Sequence, residues 1–103
     1  VDKLRNQLKV LSKRHSLELI SILLDGPRYI SQISGELDIP YTTVQQRVVE
    51  LERAGFVEVV ASIDEASKRA IKEVRLVNFR IELSPRVIHA LLMGEGKRDL
   101  RVI

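Results

Sequence analysis

Residues 30–60, ISQISGELDIPYTTVQQRVVELERAGFVEVV, decide the reading of this chain. They spell a short helix, a tight turn, a longer amphipathic helix and the start of a strand. Ser31 is placed to cap the first helix, which carries Ile33 and Leu37 inward. Asp38-Ile39-Pro40 is the turn: proline drives the residue before it out of helical angles, so Ile39 is a boundary. Asp38 stands where a turn wants a left-handed residue, and Asp tolerates those angles better than most. The second helix runs over residues 41–54, with Val44, Val48 and Leu51 as its buried stripe and Gly55 as its stop.

Working outward, Leu4, Leu8 and Leu11 recur at i, i+4, i+7, one stripe of an N-terminal helix. Ser12 is expected to cap a second helix reaching about residue 24, with Leu17, Ile20 and Leu24 on one face. Asp25-Gly26-Pro27 ends it, and residues 28–30 form a short extended piece suited to a sheet edge. Residues 56–61 read as a strand, 62–70 as a polar tip, and 71–83 as a second extended run. The apolar phase of that run switches from Val74 and Leu76 to Val77, Phe79, Ile81 and Leu83, which predicts a bulge or a change of partner near Leu76. The expected hairpin therefore has a second strand that outruns its first. Ser84-Pro85 opens a last helix with Val87, Ile88, Leu91 and Leu92 as its stripe and Gly94 at its end. The expected division is one domain over residues 1–94 and a C-terminal tail over 95–103 without a clear period.

Three helices followed by a two-stranded hairpin define a mainly α fold with a small β-hairpin, a winged helix-turn-helix, here with flanking N- and C-terminal helices. A helix about 10–12 Å across fits a major groove about 12 Å wide when one face is packed and the other polar. With Val44, Val48 and Leu51 packed, Tyr41, Thr42, Thr43, Gln45, Gln46 and Arg47 are left to meet the groove. Gln can grip adenine and Arg guanine with two hydrogen bonds each, and a Thr methyl can touch thymine. The first half of this helix carries no acid; Glu50 and Glu52 come later. Ser31 and Gln32 are candidates for phosphate contact at the start of the preceding helix, and Lys68 and Arg69 for contact from the hairpin tip, opposed there by Asp64 and Glu65. The stripes Leu4, Leu8, Leu11 and Val87, Ile88, Leu91, Leu92 exceed what one small domain covers and are candidates for a dimer surface.

Composition narrows the classes. The 103 residues suffice for one modest core, and at 45% hydrophobic and 30% charged they suit a globular domain. The net charge of +3 is only a weak pointer to a polyanion. The absence of Cys removes disulfides, thiolate metal sites and thiol nucleophiles. His15 and His89 lack a nearby acid pair and read as structural or surface groups, so neither a metal nor another cofactor is expected. No nucleophile elbow, phosphate-binding Gly loop or paired carboxylate is present, so no enzyme is expected. With no membrane-length apolar run and no signal-peptide order, a cytoplasmic location is expected.

Residues 12–60 resemble the ArsR-type (arsenical-repressor-like) transcription regulators. The likeness is carried by Lys13-Arg14-His15-Ser16-Leu17-Glu18-Leu19-Ile20, by Ile30-Ser31-Gln32-Ile33, and by the block from Tyr41-Thr42-Thr43-Val44 to Arg53-Ala54-Gly55-Phe56-Val57. Phe79-Arg80-Ile81-Glu82-Leu83-Ser84-Pro85 is similar to the same segment of archaeal members. The resemblance implies a homodimer that binds double-stranded DNA at a partly palindromic operator and usually represses. The chain departs from metal-sensing members, which carry a Cys pair or a His and Asp set it lacks. Two other readings remain open at this stage: a winged-helix module that binds protein, and an architectural DNA-binding protein without sequence preference.

Overall fold

The computed structural model describes residues 1–94; the expected tail over 95–103 lies outside them. The elements are α1 (Asp2–Ser12), α2 (Ser16–Leu23), β1 (Arg28–Tyr29), α3 (Ile30–Leu37), α4 (Tyr41–Arg53), β2 (Val57–Ile63), β3 (Ala70–Leu76) and α5 (Pro85–Gly94). The strands form an antiparallel sheet in the order β1-β3-β2. The short extended piece before α3 thus joins the wing at its edge.

One core lies where α2, α3 and α4 meet the base of the wing. Leu19, Ile33, Val44, Val48, Leu51, Phe56 and Val74 are all fully buried there. Each is worth about 1.5–3 kcal/mol of transfer free energy before chain entropy is subtracted. The expected stripe of α4 is therefore its inner face. Phe79 closes over Phe56 edge-on, with ring centroids 4.5 Å apart.

The turn between α3 and α4 is built as its residues require. Asp38 adopts the left-handed conformation at φ 55°, ψ 51°. Ser34 Oγ donates to the Ile39 carbonyl at 2.6 Å, while the Ile39 amide donates back to the Ser34 carbonyl at 3.1 Å. Ile39 is buried beneath this pair, so α4 leaves α3 at a set angle. Gly55, at φ 88°, ends α4 and turns the chain into β2.

Several local expectations need correction. Ser12 does not cap α2: it closes α1, its hydroxyl donating to the Lys9 carbonyl at 2.8 Å, and His15 takes the cap position in a left-handed conformation. The buried face of α2 is Ser16, Leu19 and Leu23, whereas Leu17 and Leu24 point to solvent. Ser31 does not cap α3; that position belongs to Tyr29, whose amide donates to Gln32 Oε1 at 2.8 Å. No bulge interrupts the wing, and its second strand does not outrun the first: β2 and β3, seven residues each, pair in one unbroken register from Val57↔Leu76 to Ile63↔Ala70. The apolar phase switch marks instead the end of β3, after which Val77 donates to the Phe56 carbonyl and the chain runs irregularly to α5. The cap of α5 is as expected, with Ser84 Oγ accepting from the Val87 amide at 3.1 Å.

Candidate nucleic-acid interface

Because Val44, Val48 and Leu51 take the inner face of α4, the helical period sets Thr42, Gln45 and Gln46 outside. All three are exposed, Tyr41 beside them is 49% exposed, and Thr43 is half-buried. Nothing in the chain's own wing covers this surface. No acid lies in the first turn of α4, whose opening amides point ahead of the helix axis where an anion is favoured.

Arg47 departs from expectation. Its side chain is only 14% exposed and turns back along α4 rather than outward. Nε donates to the Arg14 carbonyl at 3.0 Å, and Nη1 donates to Glu50 Oε1. Glu50 Oε2 accepts in turn from Lys13 Nζ. The hydrogen bond from Lys13, with the Arg47 cation beside it, holds the Glu50 carboxyl below the usual carboxylate range despite some desolvation. Arg47 is thus set apart from the exposed candidates on this helix: its Nε and Nη1 are engaged by a carbonyl and a carboxylate of its own chain.

A cleft of ≈ 240 Å³ lies beside the exposed face, lined by Tyr29, Ser31, Tyr41, Gln45 and Lys72 over an apolar floor that includes Ile30 and Ile71. It gathers side-chain donors at the starts of α3 and α4 against strand β3. Ser31 lines it from the first turn of α3. Gln32 has committed its carbonyl oxygen to the Tyr29 amide, which leaves only its NH2 to donate outward. Tyr29 and Lys72 were absent from the sequence-based set. The alternation of β3 could have flagged Lys72, but only the pairing of β1 with β3 brings Tyr29 and Lys72 to one cleft.

The wing tip is a tight loop in which Lys68 adopts φ 60° and donates its amide to the Asp64 carbonyl at 2.7 Å. Asp64 Oδ2 accepts from the Ser67 hydroxyl at 2.7 Å and from the Ser67 amide at 3.2 Å, which lowers its carboxyl pKa. Lys68 Nζ lies 3.5 Å from Glu65, with both side chains almost fully in solvent. Residues 58–75 carry four acids and four bases, so the wing draws a polyanion only through placement. Among the described residues, the side chains of Arg69 and Lys72 make no hydrogen bond or ion pair within the chain.

The α1 and α5 stripes are left largely open. Leu8 is 39% exposed, Ile88 38% and Leu91 37%, while Leu4, Leu11, Val87 and Leu92 are half-buried. No residue of α5 is buried. Leu4, Val87 and Leu91 line a shared groove with Ile81, so the two stripes meet on one side of the molecule. Among the described residues, no helix is long and apolar enough to cross a membrane.

These elements define a winged helix-turn-helix with an uncovered second helix. No protein-family model and no curated protein matches the sequence significantly. Solved structures do match. The transcriptional repressor BigR from Xylella fastidiosa is 25% identical, with a TM-score of 0.62 over 75% of this chain and 72% of that one. HlyU from Vibrio cholerae is 21% identical, with a TM-score of 0.62 over 89% and 94%. The homodimeric winged helix-turn-helix DNA-binding domain of Mb0332 from Mycobacterium bovis, a possible ArsR-family regulator, is 21% identical, with a TM-score of 0.61 over 73% of this chain and 64% of that one. The fold expected from residues 30–60 is the fold observed, and its solved neighbours include a transcriptional repressor, a winged helix-turn-helix DNA-binding domain of a possible ArsR-family regulator and an ArsR family transcriptional regulator.

Proposed function

We propose that this chain is a sequence-specific, DNA-binding transcriptional regulator that acts as a homodimer and represses by occupying a partly palindromic operator in the cytoplasm. One observation carries the reading: Tyr41, Thr42, Gln45 and Gln46 stand uncovered on the leading face of a helix whose other face is core. Thr42, Gln45 and Gln46 read base edges, and Thr43 and Tyr41 hold the flank of the groove. Ser31, the Gln32 amide, Tyr29 and Lys72 receive the adjoining phosphates at the cleft, and Lys68 and Arg69 reach a second strand from the wing. Arg47 is withdrawn from the base-reading set. Two copies meet through Leu4, Leu8 and Leu11 of α1 and Val87, Ile88, Leu91 and Leu92 of α5, which sets the two α4 helices roughly 34 Å apart, one duplex turn. Binding, not turnover, is the chemistry of the domain over residues 1–94.

Selection from a random duplex pool at physiological salt tests this. The expected result is a small family of sites with two related halves, enriched far above the pool. Salt-sensitive binding without enrichment points to an architectural protein, and absence of binding points to a protein-docking module. Either result ends the regulator reading.

A further inference from the structure

Three residues, Lys13, Arg14 and His15, join α1 to α2, and the joint has no slack. The Ser16 amide donates to the Lys13 carbonyl at 3.2 Å, and the Leu19 amide donates to the His15 carbonyl at 3.0 Å. The Ser16 hydroxyl, fully buried, donates to the Val10 carbonyl at 2.7 Å. His15 itself is held at φ 75°. This joint is then fastened to α4 from outside. Arg47 Nε holds the Arg14 carbonyl, Arg47 Nη1 holds Glu50, and Glu50 holds Lys13. The groove alongside, between α1 and the end of α4, is lined by Asn6, Lys9 and Arg53 as well.

The geometry points to Arg47 as a positioning residue: with Glu50 and Lys13 it fixes the angle of the reading helix α4 to the dimer helix α1, and so sets the half-site spacing that the dimer accepts. The inference rests on the regulator reading above. The clamp ties α4 to the joint at the end of α1, and these two helices must keep a constant relation if two copies are to meet one duplex. Its members are poor candidates for anything else. Arg47 is 14% exposed and Glu50 22%, and releasing Arg47 to a base would strip Glu50 of one of its two cations. An Arg fork also differs from a Lys here, since the rigid guanidinium meets the carbonyl and the carboxylate from two separate nitrogens in fixed geometry, whereas a Lys would have to serve both from one flexible ammonium. A rotation of α4 about its own axis breaks both contacts. A small tilt at the joint becomes a large displacement at the far tip of each α4, so a loose clamp blurs spacing before it affects base choice.

The chain has no cysteine, so Val49→Cys, an exposed position on α4 outside the base-reading set, places one spin label on each α4 of the dimer, while the site selections use chains without the label. The label-to-label distance is read in free protein, and preferred sites are selected from a random duplex pool. In the labelled parent a single narrow distance is expected. Arg47→Ala and Glu50→Gln should both broaden it. Both should also lose preference for one half-site spacing while keeping the base preferences within each half. Arg47→Lys should fall between the parent and Arg47→Ala. Gln46→Ala should do the reverse, losing a base preference with distance and spacing intact. If Arg47→Ala fails to fold, judged by its melting curve, Glu50→Gln and Arg47→Lys carry the test. An unchanged distance with a lost base preference in Arg47→Ala makes Arg47 a base reader and overturns the proposal. An unchanged distance and spacing in Glu50→Gln overturns it as well. A parent that selects no site while the distances respond overturns the regulator reading instead, and the spacing claim with it.

Discussion

Gln46 and Arg47 are neighbours in the chain, yet Gln46 stands in solvent on α4 while Arg47 folds back onto Arg14 and Glu50. Their truncations should therefore differ in kind. Gln46→Ala is expected to cost about 1–3 kcal/mol of affinity for a selected site and little stability. Titration of the pure variant against that site and a scrambled duplex checks this, and an equal loss on both duplexes would refute base reading. Glu50 makes a prediction in pH. Its carboxyl pKa in the folded chain lies below the ordinary carboxylate value, first through the Lys13 hydrogen bond and then through Arg47, against some desolvation. The charged form is thus favoured by folding, and its stabilisation is complete above that ordinary pKa. It is lost as pH falls through the depressed folded value. Glu50→Gln should flatten the acid limb of the stability curve, measured by denaturant melts across that window, and leave the neutral limb less altered in slope. A parallel acid limb in the variant would show that the carboxylate does not matter to stability.

Among the elements, the wing and α2 show how local pattern and tertiary pairing divide the outcome. β2 and β3 hold their register without a break, and β1 adds itself to the β3 edge, bringing Tyr29 opposite Glu73 and near Lys72. The charge of the wing is balanced, so under the proposed function its hold on DNA rests on individual cations. Lys72→Ala and Arg69→Ala should each weaken binding to every duplex alike and reduce the salt slope by about one. Loss confined to one sequence would assign them to base reading instead. In α2 the residues Leu17-Glu18-Leu19-Ile20-Ser21-Ile22-Leu23-Leu24 are apolar on nearly every side. Every helical register then offers an apolar stripe, and periodicity cannot choose. Packing chose Leu19 and Leu23, because Ser16, one turn before Leu19, can be buried with its hydroxyl satisfied by Val10.

At the scale of the molecule, α1 and α5 give the chain a side that it does not cover itself. The apolar residues there are half open, and α5 has no buried residue. A second copy would bury them. Leu8→Asp and Ile88→Asp should yield monomers by sedimentation, with much weaker binding to a two-half site, while the three-helix core still melts cooperatively. A variant that stays dimeric would move the interface elsewhere.

The sequence by itself determined the helix-turn-helix core. Val44, Val48 and Leu51 repeat at a period only a helix satisfies, and Asp38, Pro40 and Gly55 punctuate it with backbone preferences that act within a residue or two. Its polar leading face followed from the same period. Tertiary structure decided the rest: which stripe of α2 is inside, where β3 stops, that Tyr29 and Lys72 share a cleft, and that Arg47 is held inward. Each of these depends on a partner distant in the chain, such as Arg14 for Arg47 or Val74 for Arg28. A side chain with two possible faces goes where its donors and its apolar surface are both satisfied, and only the folded arrangement says where that is.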